Sequence, residues 1–386
     1  MPSFISNFKQ RMRLPRMFFR RPTREEQIHG GPPLEFERPI PPAPWRGITV
    51  VITIIVIAAT ALWEWHARSL GYAPSLNDND DLWTTARRRV QPESLVIIGD
   101  SRAWFDCDLD EFQKGLGKRP IQLAAPGSTT MPVLEDLAKD ETFHGTIICS
   151  LVPMLFFAPP GSPPMERAEK NVKRFHNQTP AQRVSEHLGI WLEEHVAFLK
   201  PDDLSLEGLL NQLPIPNRPG ARVPPRFPPY FERVDSERRA RMWEKCAEPG
   251  SELAQRIQQI WLPLFTPPPP PSYIPTDVFM AKLKEGIQKR FADVTAAVEK
   301  IRGRGGKIVF VRFPHTGGLK ELEDKITPRQ QNWDPLLQMT HAPGIYYSDF
   351  PDLSGFTCPE WSHLTAGDSV EFSKRLVPHL REALKL

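Results

Sequence analysis

The chain has 386 residues, 49 Lys or Arg against 46 Asp or Glu, and a formal charge of +3. That charge is too near neutrality to argue for a nucleic-acid partner, and the length suits two average domains or one domain with attachments. Proline is the outlier, 43 residues clustered in Gly31–Pro44, Leu213–Tyr230 and Pro263–Pro275, so it marks connections and not the whole chain.

Residues 1–46 hold nine basic residues and four Glu, with six basic residues and no acid in the first 22. Their Pro-rich second half cannot build a core, so the stretch reads as a disordered, basic, cytoplasmic tail. Phe4, Phe8, Phe18 and Phe19 among the basic residues also suit anionic lipid.

The next span, 47–65, reads as a transmembrane helix. Gly47 to Trp63 carries no charge, and seventeen helical residues rise about 25 Å, the short end for a bilayer. Trp45, Trp63 and Trp65 flank it as interfacial aromatics. The basic tail ahead of it puts the amino terminus in the cytoplasm and everything after it outside the inner membrane. Ala59-Thr60-Ala61 is similar to a leader-cleavage site, but so long a leader is unusual, and an uncleaved anchor is the expectation.

Residues 66–91 read as a stalk, helical near Asp81–Arg89. Asn77-Asp78-Asn79-Asp80-Asp81 has the look of a calcium loop but lacks its glycine and distant glutamate, so no metal is expected. Cys107, Cys149, Cys246 and Cys358 form no Cys-x-x-Cys; an oxidising compartment permits disulfides among them, in three pairings that sequence does not separate.

An α/β pattern follows over 92–386. Leu95–Ile98 is a short apolar run ending in Gly99-Asp100-Ser101, which predicts a strand buried on both faces and a serine at its carboxyl end. In open parallel sheets that edge is where ligands bind. A helix over Leu109–Leu116, a strand over Pro120–Ala124, a helix over Pro132–Lys139 and a strand over Gly145–Val152 keep the βαβ spacing. From Pro159 to Pro275 the pattern breaks into a mostly helical, Pro-rich insertion, with helices over Pro180–Leu199 and Asp235–Trp261 and no strand of the buried type. It resumes with a helix over Thr276–Arg302 (apolar Val278, Phe279, Leu283, Ile287, Phe291, Val294 and Val298), strands over Lys307–Phe313 and Ile345–Phe350, and a terminal helix from Asp368.

A nucleophilic serine needs a base, a group to orient the base, and donors for the oxyanion. His363 in Pro359-Glu360-Trp361-Ser362-His363 lies just ahead of the last helix, and Glu360, three residues earlier, can face the same pocket. Arg102 beside the serine could hold an anionic substrate group or pair with Asp106 or Asp108. His315, at the end of the fourth strand, faces the same sheet edge as a possible substrate contact. His187 and His195 suit a surface position.

A Gly-Asp-Ser after the first strand together with acid-x-x-His before the last helix resembles the SGNH, or GDSL-type, hydrolase superfamily. The resemblance covers Leu95–Leu151 and Lys307–Leu386. It implies a flavodoxin-like three-layer α/β/α sandwich with a central parallel sheet, Ser101 as nucleophile, and His363 and Glu360 completing a triad. It also implies that Ser101 and Gly127 are oxyanion donors through their amides. The acid is Glu where the family pattern has Asp, and Pro153–Phe157 offers no asparagine to the oxyanion; one lost donor costs about 10²–10³ in rate. The tail, anchor and outward domain look like membrane-anchored relatives that handle acyl groups on envelope polysaccharides. The expected function is a periplasmic serine esterase or O-acyltransferase acting on an O-acylated carbohydrate or small ester, with no cofactor. The alternative is an inactive, membrane-tethered glycan-binding or envelope scaffold protein with envelope protein partners.

Overall fold

The computed structural model describes residues 43–199, 208–210, 213, 227–228, 231–267 and 269–386, and the chain divides into two units, 1–59 and 60–386. Most of the basic tail lies outside the described residues. Helix α1, Trp45–Ser69, contains the uncharged span and runs past it; its 25 residues are long and apolar enough to cross a membrane.

The stretch expected as a stalk packs into the domain. Asn79 caps helix α2 (Asp80–Arg88), its side chain accepting from the amides of Asp81 and Leu82 at 2.8 Å. Trp83 is fully buried and its indole donates to the Leu123 carbonyl at 2.9 Å, while Arg87 pairs with Asp136 at 2.8 Å. The acidic run is occupied by cations from the insertion: Asp78 by Arg238, Asp80 by Lys170 and Asp81 by Arg174. No metal-binding cluster occurs among the described residues.

The described strands are β1 (Leu95–Ile98), β2 (Ile121–Gln122), β3 (Thr146–Ser150), β4 (Glu232–Val234), β5 (Ala240–Met242), β6 (Lys307–Arg312) and β7 (Gly344–Tyr346). Five of them make one sheet in the order β2-β1-β3-β6-β7, every neighbour parallel. Between and after them run α3 (Ser101–Asp106), α4 (Leu109–Leu116), α5 (Met131–Lys139), α6 (Pro163–Asn177), α7 (Pro180–Glu193), α8 (Glu252–Phe265), α9 (Thr276–Gly303), α10 (Gly317–Ile326), α11 (Arg329–Thr340) and α12 (Ala366–Leu384).

Successive strand residues point to opposite faces, and both faces are covered, which is why the strands read as unbroken apolar runs. Leu95, Ile97, Ile148, Val309 and Ile345 face a core shared with α3, α4, α8 and α12. Val96, Ile98, Ile147, Ile308 and Phe310 face a second core filled from α2, α5, α9 and α11.

Two expectations are corrected. The stretch 235–242 is not helical: Asp235 accepts from the amides of Glu237 and Arg239 at 3.0 Å, Arg238 takes a φ of 61°, and β4 and β5 close as an antiparallel hairpin. Helix α9 buries only its second half, Arg290 to Ile301; Val278 and Leu283 are exposed. The four cysteines are free and buried, and burial pushes the Cys246 thiol up to about 12.

Candidate active site

Gly99 makes the turn that presents Ser101. Its φ is +145°, and a Cβ there would lie 2.4 Å from the Ser150 Cβ, so β1 can leave the sheet beside β3 only through glycine. Asp100 is buried and holds two elements at once. One oxygen caps α3 through the Arg102 amide at 2.9 Å, and the other accepts from the Ser150 hydroxyl at 2.9 Å. Ser101 opens α3 half-buried, its hydroxyl hydrogen-bonded to none of the described residues.

Glu360 and His363 lie in the turn that leads into α12, both fully buried. The Glu360 carboxylate accepts from the amides of Ser362, at 3.1 Å, and His363, and from the indole Nε1 of Trp261. His363 Nδ1 stands 3.2 Å from Glu360 Oε1, close enough for charge attraction but without hydrogen-bond alignment, and neither ring nitrogen has a hydrogen-bond partner among the described residues. The imidazole is boxed by Phe105, Trp261 and Phe231 at centroid distances of 4.4, 5.6 and 6.1 Å. Phe105 is four residues after Ser101 on α3, so His363 packs on the helix face that carries Ser101, one turn along. No hydrogen bond joins His363 to Ser101.

Gly127 lies past the carboxyl end of β2 with a φ of +60°. Arg167 of α6 covers it, donating to the Pro126 carbonyl at 2.6 Å, and a Cβ on Gly127 would come within 2.7 Å of that guanidinium. The Gly127 amide donates to no acceptor among the described residues.

Arg102 and His315 lie beneath the surface, at 1% and 0% exposure. The partner of Arg102 is neither Asp106 nor Asp108 but Glu323 of α10, which also binds Arg312. Burial would raise the Glu323 carboxyl, yet the two guanidiniums hold it well below the usual carboxylate range. His315 Nε2 sits 3.1 Å from Arg312 Nη2, and burial, then Arg312 and Arg102, push its pKa well down. Both residues therefore belong to this internal network. Arg102 Nε also lies 3.5 Å from the Ser362 hydroxyl, which links the serine turn to the histidine turn.

Asp106, unmarked in the sequence as a site residue, closes α3 fully buried. Its Oδ1 accepts from the Leu364 amide at 2.9 Å, and its Oδ2 has no partner among the described residues. Burial pushes its carboxyl well above the ordinary range. Beside the Glu360–His363 turn opens a cleft of about 680 Å³ walled by Trp361, Phe356, Gln258 and Arg375. Trp361 has a φ of +79° and lies against the α-carbons of Gly317 and Gly318. His187 and His195 are exposed.

The parallel sheet thus brings to one region a half-exposed serine, a buried Glu–His pair and a glycine turn, with aromatic walls supplied by the insertion. No family model matches the chain, and no curated protein matches it.

Proposed function

We propose that the chain is a membrane-anchored, SGNH-like serine esterase or O-acyltransferase. Its basic tail lies in the cytoplasm and its α/β domain outside the inner membrane, facing an O-acylated carbohydrate or other small ester. The observation that carries this is the packing of the His363 ring, tilted by 31°, on Phe105, one turn from Ser101 on α3, with the Glu360 carboxylate beside it. The strand order β2-β1-β3-β6-β7 supports the flavodoxin-like three-layer sandwich.

In this reading Ser101 Oγ attacks the ester carbonyl as His363 takes its proton, and Glu360 holds the imidazolium. The amides of Ser101 and Gly127 stabilise the oxyanion. Collapse breaks the C–O bond, His363 returns the proton to the leaving alcohol, and the acyl group stays on Ser101. Water then completes hydrolysis, or a sugar hydroxyl completes transfer. Treating the detergent-solubilised full chain with a fluorophosphonate serine probe tests it: labelling is expected, and it disappears in Ser101→Ala.

The second reading, a silent tethered module that binds glycans or scaffolds an envelope assembly, is favoured by one observation. Both nitrogens of the buried His363 ring lack hydrogen-bond partners among the described residues, and the Ser101 hydroxyl is not bonded to them. Absence of labelling and of ester hydrolysis would decide for it.

A further inference from the structure

Helix α7 is amphipathic the wrong way round for a soluble surface. Thr179 and Gln182 form a capping box at its start, so the helix is well defined. Its acidic residues point inward: Glu193 accepts from the Asn77 amide at 2.9 Å, and Glu186 bonds the Asn79 side chain at the cap of α2. Ile190 packs half-buried against the core, and the other large apolar residues point out. Val184, Leu188, Trp191 and Leu192, at spacings of four, three and one, are 61%, 60%, 60% and 43% exposed, and no residue of the helix is buried. An apolar stripe turned to water costs free energy unless something covers it.

What covers it is indicated by the attachment of its carboxyl end. Glu64, on the last turns of α1, accepts from the amides of Ala197 and Phe198 at 3.1 and 3.2 Å, and Arg68 donates to the His195 carbonyl at 3.2 Å. Glu64 stands between Trp63 and Trp65, both exposed, in the stretch where an apolar spanning helix passes its headgroup region. The chain just after α7 is therefore tied to the residues that would emerge from the bilayer. We propose that α7 lies in the membrane interface, with Val184, Leu188, Trp191 and Leu192 seated among lipid acyl chains and Trp191 at headgroup level. The outward face carries no cluster of Lys or Arg, so the apolar contact, not anionic lipid, supplies the attraction. This seats the domain on the bilayer surface instead of at the end of a stalk. The inference rests on α1 spanning the membrane.

The test is site-directed spin labelling of the full chain in phosphatidylcholine vesicles, with single cysteines at Leu188→Cys, Ile55→Cys and Lys374→Cys. The four native thiols are buried and left in place. Oxygen is expected to reach the Leu188→Cys and Ile55→Cys labels better than an aqueous nickel chelate does, and the order reverses at Lys374→Cys. An aqueous reading at Leu188→Cys with a lipid reading at Ile55→Cys overturns the seat on the membrane and leaves the anchor standing. Dipolar broadening between Leu188→Cys labels would show that a second copy covers the stripe, and overturns it too. An aqueous Ile55→Cys removes the anchor reading and this inference with it.

Discussion

The indole of Trp261 donates its hydrogen bond to the carboxylate of Glu360 across 99 residues of sequence. That bond joins the insertion to the turn bearing His363, and the Trp261 ring also forms one wall of the box around the imidazole.

Trp261→Phe keeps a wall and removes the donor. Glu360, buried and hydrogen-bonded to backbone amides, loses its only side-chain donor among the described residues, a change expected to cost about 1–3 kcal/mol in urea unfolding. If His363 is the base, the labelling rate of Ser101 by a fluorophosphonate also falls, and its pH profile changes shape. A drop in stability with an unchanged profile would make Trp261 structural only.

Asp106 sets a pH dependence whose sign runs against the usual carboxylate. Burial raises its folded pKa, with Arg102 and the Leu364 amide opposing and Glu360 and Asp100 adding to the rise. Below about pH 3.8 the carboxyl is protonated in both states, and its neutral form is accommodated at no ionisation cost. As the pH rises the unfolded chain ionises first, so stability is lost from there up to the folded pKa. Asp106→Asn keeps the acceptor for the Leu364 amide and cannot ionise. Its urea midpoint is expected to fall less between pH 4 and 8 than that of the native chain.

Glu323 is the only carboxylate bonded to the guanidiniums of Arg102 and Arg312 among the described residues. Glu323→Gln leaves two buried cations without their countercharge, at an expected cost of about 3–5 kcal/mol. The exposed neighbour Glu321→Gln serves as control and should change stability by no more than about 0.5 kcal/mol. Chemical denaturation of the two variants separates them.

Gly99→Ala places a methyl 2.4 Å from the Ser150 Cβ at a φ of +145°. Overpacking and backbone strain together are expected to cost about 2–4 kcal/mol. The double variant Gly99→Ala/Ser150→Gly removes the 2.4 Å contact but keeps the strain and the 3.2 Å approach to the residue 150 backbone, and it loses the Ser150–Asp100 hydrogen bond, so thermal unfolding measured against Ser150→Gly alone should show only part of the Gly99→Ala loss recovered.

Local signals carried the sheet and missed what depends on distant partners. β1, β3 and β6 were legible because strands covered on both faces are unbroken apolar runs, and α4 because Asp108 and Gly117 punctuate it. The 66–91 stretch reads as a stalk with a helix near Asp81–Arg89; that helix is present, but nothing local shows that its Leu82, Trp83 and Ala86 face is covered by the domain. α10 opens on two glycines and α11 contains Pro335, so neither announces a helix. Ser101, Glu360 and His363 were legible as candidates through their order along the chain. Trp261, Phe231, Glu323 and Asp106 were not, because nothing next to them in sequence reveals a partner more than a hundred residues away or across a Pro-rich insertion.

Phe231 and Trp261, both from the insertion, wall in the His363 ring, and Arg167 overlies the Gly127 turn. The segment that interrupts the α/β pattern is therefore not a detachable module. A chain trimmed to its sheet and flanking helices would keep Ser101 in position but open the imidazole to water and strip Glu360 of its indole donor. Any minimal version of this protein has to be cut around the insertion, not through it.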